Sequence, residues 1–407
     1  PNDWPIDKQK PEPIMSATPT RFHPCPSCLR ASVALAALYA FSPAHATNGP
    51  MPHGYGIKAM GMGGASIALP QDAIAAANNP AGMAFVGDRL DLGLSVVIVD
   101  PKSSFGGTEF KGDGVKAIPV PDFGYNRVID DRQSIGISVY GNGVSTVYDV
   151  PMLGGRDKDS AKLTQIIASP TYALKLGPGS AIGVSADFAY QRFKVDGVPD
   201  AVGVESPGTA SSTGVGFKLG WTGQVSEQLT LGAMYSARVR MGKLRAYRNL
   251  LANGGEFDIP ERYGVGLAWR PTSSLVVAAD VMRVNWGDLD SFANALTAPE
   301  PGFGWRSQTV SRIGVAWEAS PVLTLRTGVS HGQQIVSREN ATLDYLAPVT
   351  PQDHFTLGAT YALNRQTELS LMYARAFGSE VRGSGPSTGV AVDMSQHWVG
   401  ASVALKW

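Results

Sequence analysis

Apolar residues alternate with polar or small residues over long stretches of the chain from residue 89 onward. In residues 229–241 the odd-numbered positions are apolar, and the even-numbered positions are mostly glycine, hydroxyl-bearing or arginine residues. The same period appears in residues 181–191, 263–270 and 323–330. A period of two predicts β-strands with one apolar and one polar face. These runs exceed the usual globular strand of about 5–6 residues, and they suit a tilted strand that crosses a bilayer.

The alternation predicts fourteen strands. They lie near residues 89–100, 116–127, 133–143, 163–176, 181–194, 213–222, 229–242, 262–270, 275–286, 309–318, 322–332, 354–363, 367–378 and 396–407. Short connections, such as residues 177–180 and 271–274, alternate with loops of roughly 15–20 residues, as in outer-membrane barrels. The predicted fold is therefore an all-β membrane protein, with a 14-stranded antiparallel transmembrane β-barrel over residues 89–407.

Aromatic residues lie near the predicted strand ends, as the aromatic girdle of a membrane barrel requires. They are Trp221, Tyr235, Trp269, Trp286, Trp317, Tyr361 and Tyr373. A soluble β-sandwich also alternates, but the strand length and the loop asymmetry favour the membrane barrel. The last predicted strand ends on Trp407, through which we expect the barrel-assembly machinery to recognise the chain.

Residues 1–46 have the pattern of a signal peptide with an upstream extension. Basic residues precede an apolar stretch at 31–41, and residues 44–46 form an A-x-A cleavage signal. Cys25 and Cys28, the two cysteines of the chain, both lie in this leader, which disfavours a redox or metal role for them. The mature chain is therefore predicted to be exported and free of cysteine, with a Gram-negative outer-membrane location.

Composition excludes several other classes of protein. The 34 basic and 34 acidic residues balance, which argues against nucleic acid as a partner, because phosphate binding needs a basic surface. No run of 18 apolar residues is present, so a helical membrane protein is excluded. Disorder is disfavoured because 43% of the residues are hydrophobic.

Residues 47–88 lack the alternation. A stretch rich in glycine, methionine and proline is followed by a helix-compatible stretch at 71–77 and a turn at 78–82, because the residue before a proline avoids the helix. These residues carry too little apolar material to fold alone. They are either a disordered periplasmic tail or a plug, since a fourteen-stranded barrel leaves a lumen that wall side chains cannot fill.

Motifs along the mature chain resemble the FadL/TodX family of outer-membrane transporters. They lie at residues 54–56, 61–65, 79–81, 169–175, 260–263, 279–280, 285–288, 353–358 and 373–374. Each motif alone is weak, whereas their order and spacing together are specific. The resemblance implies passive import of long-chain fatty acids or aromatic hydrocarbons, with no cofactor and no metal. It also implies fourteen strands, and it makes residues 47–88 an N-terminal hatch, a plug in the lumen.

The resemblance further implies a route for the substrate. Outside loops capture it, an apolar lumen pocket receives it, and it leaves sideways into the bilayer through a gap at an inward kink of the third strand. Gly141, Asn142 and Gly143 fall in that strand, where glycine can mark a bend. The alternative is that these residues are the strand end before a loop. Lateral exit is physically favourable, because apolar surface gains about 25 cal/mol per Å² by staying out of water.

Within the hatch, the resemblance assigns Asn79, Pro80 and Ala81 to closing the lumen and shifting when substrate binds; a simple turn is the alternative. Strand parity places four basic residues in the lumen, as candidates to bind a fatty-acid carboxylate. They are Lys218, Arg238, Arg240 and Arg326. The alternative is that they pair with Asp187 and Asp280 and fill the lumen structurally.

Apolar residues of two long loops are candidates for the capture surface, because exposed apolar clusters mark interaction sites. They are Leu250, Leu251, Phe257, Phe292, Leu296, Phe303 and Trp305. An enzyme is disfavoured, since the adjacent Ser330 and His331 would point to opposite faces of a strand. A general porin and a structural or adhesive barrel are the alternatives. We expect a monomer whose partners are the hydrophobic substrate and outer-membrane lipid, including lipopolysaccharide.

Overall fold

The computed structural model describes most of the mature chain. The described residues are 48–112, 117–148, 150–151, 158–198 and 206–407. The predicted signal peptide, with Cys25 and Cys28, lies outside the described residues. No helix in the described ranges is long and apolar enough to cross a membrane.

Fourteen long antiparallel strands form the wall. They are β1 (Arg89–Phe105), β2 (Ala117–Val128), β3 (Gln133–Val147), β4 (Ser160–Gly177), β5 (Ser180–Asp196), β6 (Ala210–Ser226), β7 (Leu229–Ser236), β8 (Arg262–Thr272), β9 (Leu275–Val284), β10 (Gln308–Ser320), β11 (Leu323–Gly332), β12 (Asp353–Ala362), β13 (Thr367–Ala376) and β14 (Val390–Lys406). Consecutive strands pair, and β14 pairs with β1 along its whole length, which closes the barrel. The predicted number of strands and their antiparallel order are confirmed.

Shorter elements lie in the loops and inside the barrel. Short strands are Thr108–Lys111, Arg240–Met241 and Val381–Arg382. The α-helical turns are α1 (Ile57–Met60), α2 (Ala75–Asn78), α3 (Ala252–Gly255), α4 (Asp290–Ala293) and α5 (Ala341–Asp344). The 3₁₀ turns are Pro80–Ala84, Arg245–Tyr247, Trp286–Asp288, Arg338–Asn340 and Gly385–Ser387.

Burial alternates along the strands as the sequence period predicts. On β5, Ile182 and Phe188 are 43% and 55% exposed, whereas Ala181 and Ala189 are buried. The exposed apolar face is the one that meets lipid. Five of the predicted girdle aromatics are exposed: Trp221, Trp269, Trp317, Tyr361 and Tyr373.

Trp286 was assigned to the same aromatic girdle, and that assignment is wrong. The side chain of Trp286 is buried, with 2% of its surface exposed. Strand β9 ends at Val284, and the chain then turns inward through the 3₁₀ turn Trp286–Asp288. The alternation therefore stops before it reaches Trp286, whose ring packs against Phe292 and Trp305.

The hatch fills the lumen. Every residue from Asn48 to Ala84 is buried except the partly buried Pro70 and Gln71. Glycines on the inner wall let the hatch backbone approach closely: a Cβ at Gly328 would lie 2.2 Å from the carbonyl carbon of Met62. Of the two alternatives for this segment, the structure has the plug.

Candidate functional site: the hatch and the seam beside strand β3

The barrel wall is interrupted between β2 and β3. Among the described residues, these two strands pair only over residues 123–128 and 134–139. Beyond that point β2 remains paired with β1, and β3 remains paired with β4. We call the unpaired stretch between residues 117–122 and 140–147 the seam. Along the seam, the backbone N–H and C=O groups of β2 and β3 do not hydrogen-bond to each other.

Strand β3 turns toward the lumen at the seam. Its residues alternate in burial up to Val139, and every residue from Tyr140 to Thr146 is buried. Continuous burial means that both faces of this half of the strand contact protein. Gly141, Asn142 and Gly143 lie in it, and the strand continues to Val147. The alternative that these three residues merely end the strand is wrong.

Two prolines lie on the opposite side of the seam. Pro119 and Pro121 belong to β2, where they face Val96 and Leu94 of β1 in the ladder. Proline has no N–H to donate, so in sheets it is confined to edges and bulges. The two prolines therefore suit the half of β2 that borders the seam, where one side of the strand is unpaired although the barrel is closed.

The hatch supports the inner side of the seam. The backbone N–H of Gly143 donates to the carbonyl oxygen of Pro50 at 2.8 Å. The hydroxyl of Tyr55 donates to Oδ1 of Asn142 at 2.6 Å. The rings of Tyr55 and Tyr140 lie 4.5 Å apart between centroids. A few hatch atoms therefore occupy the place that a neighbouring strand takes elsewhere in the wall.

A chain of side-chain amides continues this contact around the barrel. Nδ2 of Asn142 donates to Oε1 of Gln165 at 3.3 Å, and Nε2 of Gln165 donates to Oε1 of Gln191 at 3.2 Å. Gln191 in turn donates to the hydroxyl of Ser212 at 2.9 Å. The chain links β3, β4, β5 and β6 at one level of the lumen.

Arg262 lies beside Tyr55, where it has neutral partners. Its guanidinium donates to the carbonyl oxygen of Ala77 at 3.1 Å and to the hydroxyl of Tyr55 at 3.3 Å. It lies 5.1 Å from the centroid of the Tyr55 ring. Arg262 is 6% exposed and forms no ion pair with a described residue. Beside it, a small cavity is also lined by Met51, Met234, Met282 and Arg312.

Lys218 and Arg326, two of the predicted lumen cations, lie inside the barrel with polar partners. Nζ of Lys218 is 2.7 Å from Asp187 and donates to the hydroxyl of Tyr140 at 2.6 Å. Arg326 donates to Oε1 of Gln71 in the hatch at 2.9 Å. Lys218 thus follows the structural alternative, and Asp280 instead accepts hydrogen bonds from the hatch.

Arg238 and Arg240 do not reach the lumen. Strand β7 ends at Ser236, and this interruption shifts the alternation by one residue, so that Val239 is buried and Arg240 is exposed. Arg238 pairs with Asp258 at 2.6 Å and with Glu256, both in the following loop. The parity assignment of these two arginines is wrong for that reason. The four predicted cations therefore do not form one cluster.

Asn79, Pro80 and Ala81 fasten the hatch to β5 and β6. Nδ2 of Asn79 donates to the carbonyl oxygens of Ile67 and Trp221 at 2.7 and 3.0 Å. Its Oδ1 accepts from the N–H of Ala81 at 3.1 Å and so caps the 3₁₀ turn. A Cβ at Gly220 of β6 would lie 2.0 Å from that oxygen, so this position has room for glycine alone.

Buried charges hold the same half of the hatch. Nζ of Lys58 lies 2.6 Å from Oε2 of Glu368 on β13. Asp280 accepts the N–H groups of Ser66 and Ile67 at 2.7 and 3.1 Å. Burial lowers the pKa of Lys58, and Glu368 acts in the opposite direction. These contacts match charged wall groups to hatch groups that would otherwise be buried without partners.

His53 is the hatch residue whose protonation burial disfavours most clearly. Burial lowers the pKa of His53 to about 4. Its ring is stacked on that of His354 at 5.5 Å, and its Nε2 is 3.2 Å from the carbonyl oxygen of Met60. The hatch is therefore built around a neutral imidazole.

The apolar loop residues form a packed cluster, not an exposed surface. Leu251, Phe257, Phe292 and Trp305 are each under 5% exposed. Leu250 and Phe303 pack against them, and Leu296 is half-buried. The rings of Phe257 and Phe292 lie 4.6 Å apart between centroids. The expectation of exposure is wrong because the long loops fold over the barrel mouth, a contact that strand periodicity does not encode.

Sequence reasoning missed the residues that face the seam most directly. Tyr55 and Arg262 lay inside motifs that carried the family resemblance, but neither was assigned a role. Arg262 shares the parity of inward-facing residues on β8, which was a usable signal. Pro119 and Pro121 gave a second signal, since two prolines in a predicted strand indicate an unpaired edge.

A closed fourteen-stranded barrel with a filled lumen and a seam in its wall defines a plugged outer-membrane transport barrel. The sequence profile of the family described as outer membrane protein transport protein (OMPP1/FadL/TodX) matches residues 33–403. The chain belongs to this family. It is an outer-membrane transporter of hydrophobic compounds, and it is not an enzyme.

Solved structures show the same fold. The toluene transporter TodX of P. putida has 21% identity and a TM-score of 0.67, over 87% of this chain and 99% of that chain. A FadL homologue of Pseudomonas aeruginosa has 16% identity and a TM-score of 0.68, over 88% and 99%. The toluene transporter TbuX of Ralstonia pickettii has 18% identity and a TM-score of 0.65, over 87% and 99%. No curated protein matches the sequence.

Proposed function

We propose that the protein imports long-chain fatty acids or aromatic hydrocarbons passively, and that they leave the lumen through the seam into the bilayer. The observation that carries the proposal is the end of β2–β3 pairing at the place where hatch residues stand behind β3. Movement of Pro50 and Tyr55 would open a path from the lumen to lipid without breaking a strand ladder. An apolar substrate on this path never enters water, which would cost about 25 cal/mol per Å².

Arg262 favours a carboxylate-bearing substrate, a fatty acid, over a neutral aromatic one. The described hydrogen-bond partners of this buried guanidinium are all neutral, and a carboxylate would supply charge-assisted, bidentate hydrogen bonds. Arg238 and Arg326 are weaker candidates, since their donors already have protein acceptors. Toluene transport by TodX and TbuX is the reason to keep aromatic hydrocarbons as the second substrate class.

The test is uptake by cells that lack their own hydrophobic transporter and express this protein. Labelled oleate and labelled toluene are compared, with leakage of a small sugar measured in parallel. The proposal expects selective entry of oleate or toluene without sugar leakage. Sugar leakage without selective uptake would instead mean a general porin, and neither leakage nor uptake would mean a structural or adhesive barrel.

Arg262→Gln decides the substrate class. For a carboxylate site, this substitution weakens binding of oleate but not of its methyl ester, and it leaves toluene uptake unchanged. Arg270→Gln, at an exposed position of the same strand, is the matched control. Equal losses for oleate and the ester would contradict a carboxylate site.

We also propose a monomer that is inserted by the barrel-assembly machinery through Trp407 and contacts lipopolysaccharide.

A further inference from the structure

The outer faces of β4 and β5 carry a cluster of basic residues at their extracellular ends. We call Lys162, Arg192 and Lys194 the basic sector. Lys162 and Arg192 are exposed, and their chain neighbours on either side are buried, so both point away from the lumen. Lys194 has the same parity as Arg192 on β5. These side chains therefore share one outward-facing surface.

The basic sector lies directly above the lipid-facing band. Along the outer face of β5, Ile182, Val184, Phe188 and Tyr190 are 41–55% exposed, and Arg192 and Lys194 follow them. The run from Ile182 to Tyr190 spans about 27 Å along the strand. At a tilt of about 40° it covers roughly 21 Å of membrane height, close to the apolar band of an outer-membrane barrel. The basic sector thus stands at the level of the outer leaflet's headgroups.

The charges of this sector are poorly matched by protein groups. Lys162 and Lys194 lie directly opposite each other across the β4–β5 ladder, an arrangement that like charges destabilise. Lys194 pairs with Asp196 at 2.7 Å. Within the described ranges, Lys162 and Arg192 have no side-chain hydrogen bond or ion pair. An anion between these cations would relieve the repulsion.

Several other outward-facing cations at this level have side-chain partners within the chain. Lys102 lies 3.5 Å from Asp100 on β1. His331 on β11 lies 2.7 Å from Asp353 on β12. Arg375 on β13 is bonded to His397 on β14. Arg283 on β9 bonds to Thr309 and Gln333. Lys162 and Arg192 differ from these cations because they have no side-chain partner among the described residues.

We infer that the basic sector binds the phosphate groups of lipopolysaccharide in the outer leaflet. Arginine and lysine bind phosphate through charge-assisted hydrogen bonds, and their alkyl stems cover apolar surface beside the aromatic residues below them. The lipid's acyl chains then lie along the exposed apolar face of β5 and β6. The proposed ligand is a phosphorylated glycolipid, because its phosphates bind the basic sector while its acyl chains contact the apolar band.

The test measures binding of lipopolysaccharide to the mature full chain in detergent by native mass spectrometry and by titration at several salt concentrations. Lys162→Gln/Arg192→Gln should weaken binding about tenfold or more and flatten its salt dependence. Lys102→Gln/Arg375→Gln, at the same level on the other side, is the matched control and should change binding little. Heat-dependent mobility on gels checks that each barrel is folded.

Two further arms identify the ligand group. Enzymatic dephosphorylation of lipopolysaccharide should weaken its binding to the wild type as much as the double substitution does. Phosphatidylglycerol vesicles should bind the wild type and the double variant alike. Undiminished binding of the dephosphorylated lipid would overturn the inference. An equal loss of lipopolysaccharide binding in the control variant would also overturn it. The same holds if the wild type binds the vesicles as tightly as lipopolysaccharide and the double variant loses both affinities equally.

Discussion

The two halves of the hatch are held in different ways. The periplasmic half is fixed by buried charge and by a capped turn: Lys58 pairs with Glu368, and Asn79 bonds to two carbonyl oxygens. The half behind the seam is joined to β3 by two neutral hydrogen bonds, one from Gly143 and one from Tyr55, and Arg262 donates to the same Tyr55 hydroxyl from the other side. Breaking a buried ion pair by removing one partner costs about 3–5 kcal/mol, and a neutral hydrogen bond is worth about 1. We propose on this basis that the hatch is anchored at its periplasmic end and shifts at the end behind the seam.

The largest effect is expected from Glu368→Ala. It leaves Lys58, 6% exposed, without its carboxylate, and should loosen the hatch by about 3–5 kcal/mol. Protease sensitivity of residues 48–84 and sugar leakage in cells are the measurements. Lys406→Ala is the matched control, since the 34% exposed Lys406 also bonds Glu368 but should contribute below about 1 kcal/mol. Equal leakage in both variants would contradict a charged anchor.

Acid should loosen the hatch through His53. Its folded-state pKa is lowered to about 4 from 6.5, so its stabilising contribution is complete above pH 6.5 and is lost as pH falls toward 4. The loss is at most about 3 kcal/mol. Arg312 opposes protonation of the ring, and the stacked His354 is the other titratable group that faces it. Thermal unfolding from pH 7 to 4 should show a smaller decrease for His53→Gln than for wild type; parallel decreases would exclude this role.

Asn79→Ala should weaken the periplasmic anchor by about 1–3 kcal/mol, because the carbonyl oxygens of Ile67 and Trp221 lose their donor inside the barrel. Sugar leakage should rise, by less than in Glu368→Ala. Asn364→Ala, at an exposed turn, is the control and should behave as wild type. If leakage is unchanged in both, the hatch does not depend on this turn.

Tyr55→Phe should have the smallest effect on stability and the opposite effect on transport. It removes the 2.6 Å hydrogen bond to Asn142 and costs about 1 kcal/mol. If this bond holds the seam closed, uptake should increase by up to about fivefold, without sugar leakage. The control is Tyr172→Phe, which removes an exposed hydrogen bond to Gln133 on the outer wall. A decrease in uptake for Tyr55→Phe would reverse the assignment of this half as the mobile one.

The sequence predicted what depends on local periodicity. All fourteen strands follow from alternation, because one face of each strand meets lipid and the other the lumen, and Lys218 and Arg326 are inside for the same reason. Prediction failed where the period breaks. The interruption after Ser236 reverses the side of Arg240, and the turn after Val284 takes Trp286 inward.

The site itself was less predictable, since it depends on contacts between distant residues. The seam is a stretch in which β2 and β3 do not pair. The hatch residue Tyr55, which bonds to Asn142 there, lies 87 positions earlier in the chain. Alternation in one strand carries no information about either. Pro119 and Pro121 are local sequence signals of the unpaired edge, and Gly141 and Gly143 lie in the half of β3 that borders the seam.

A cross-link between β2 and β3 across the seam tests lateral exit most directly. Pro121→Cys/Gly141→Cys places thiols on residues that line one cavity at the seam, in a mature chain predicted to have no other cysteine. A short bifunctional thiol reagent then joins β2 to β3. Tyr125→Cys/Ile137→Cys, within the paired part of the same strands, is the matched control.

If substrate leaves through the seam, the bridge across it abolishes uptake of oleate or toluene, cleaving the bridge restores uptake, and the control bridge changes nothing. Unchanged uptake with a bridge verified by mass spectrometry would contradict lateral exit through the seam.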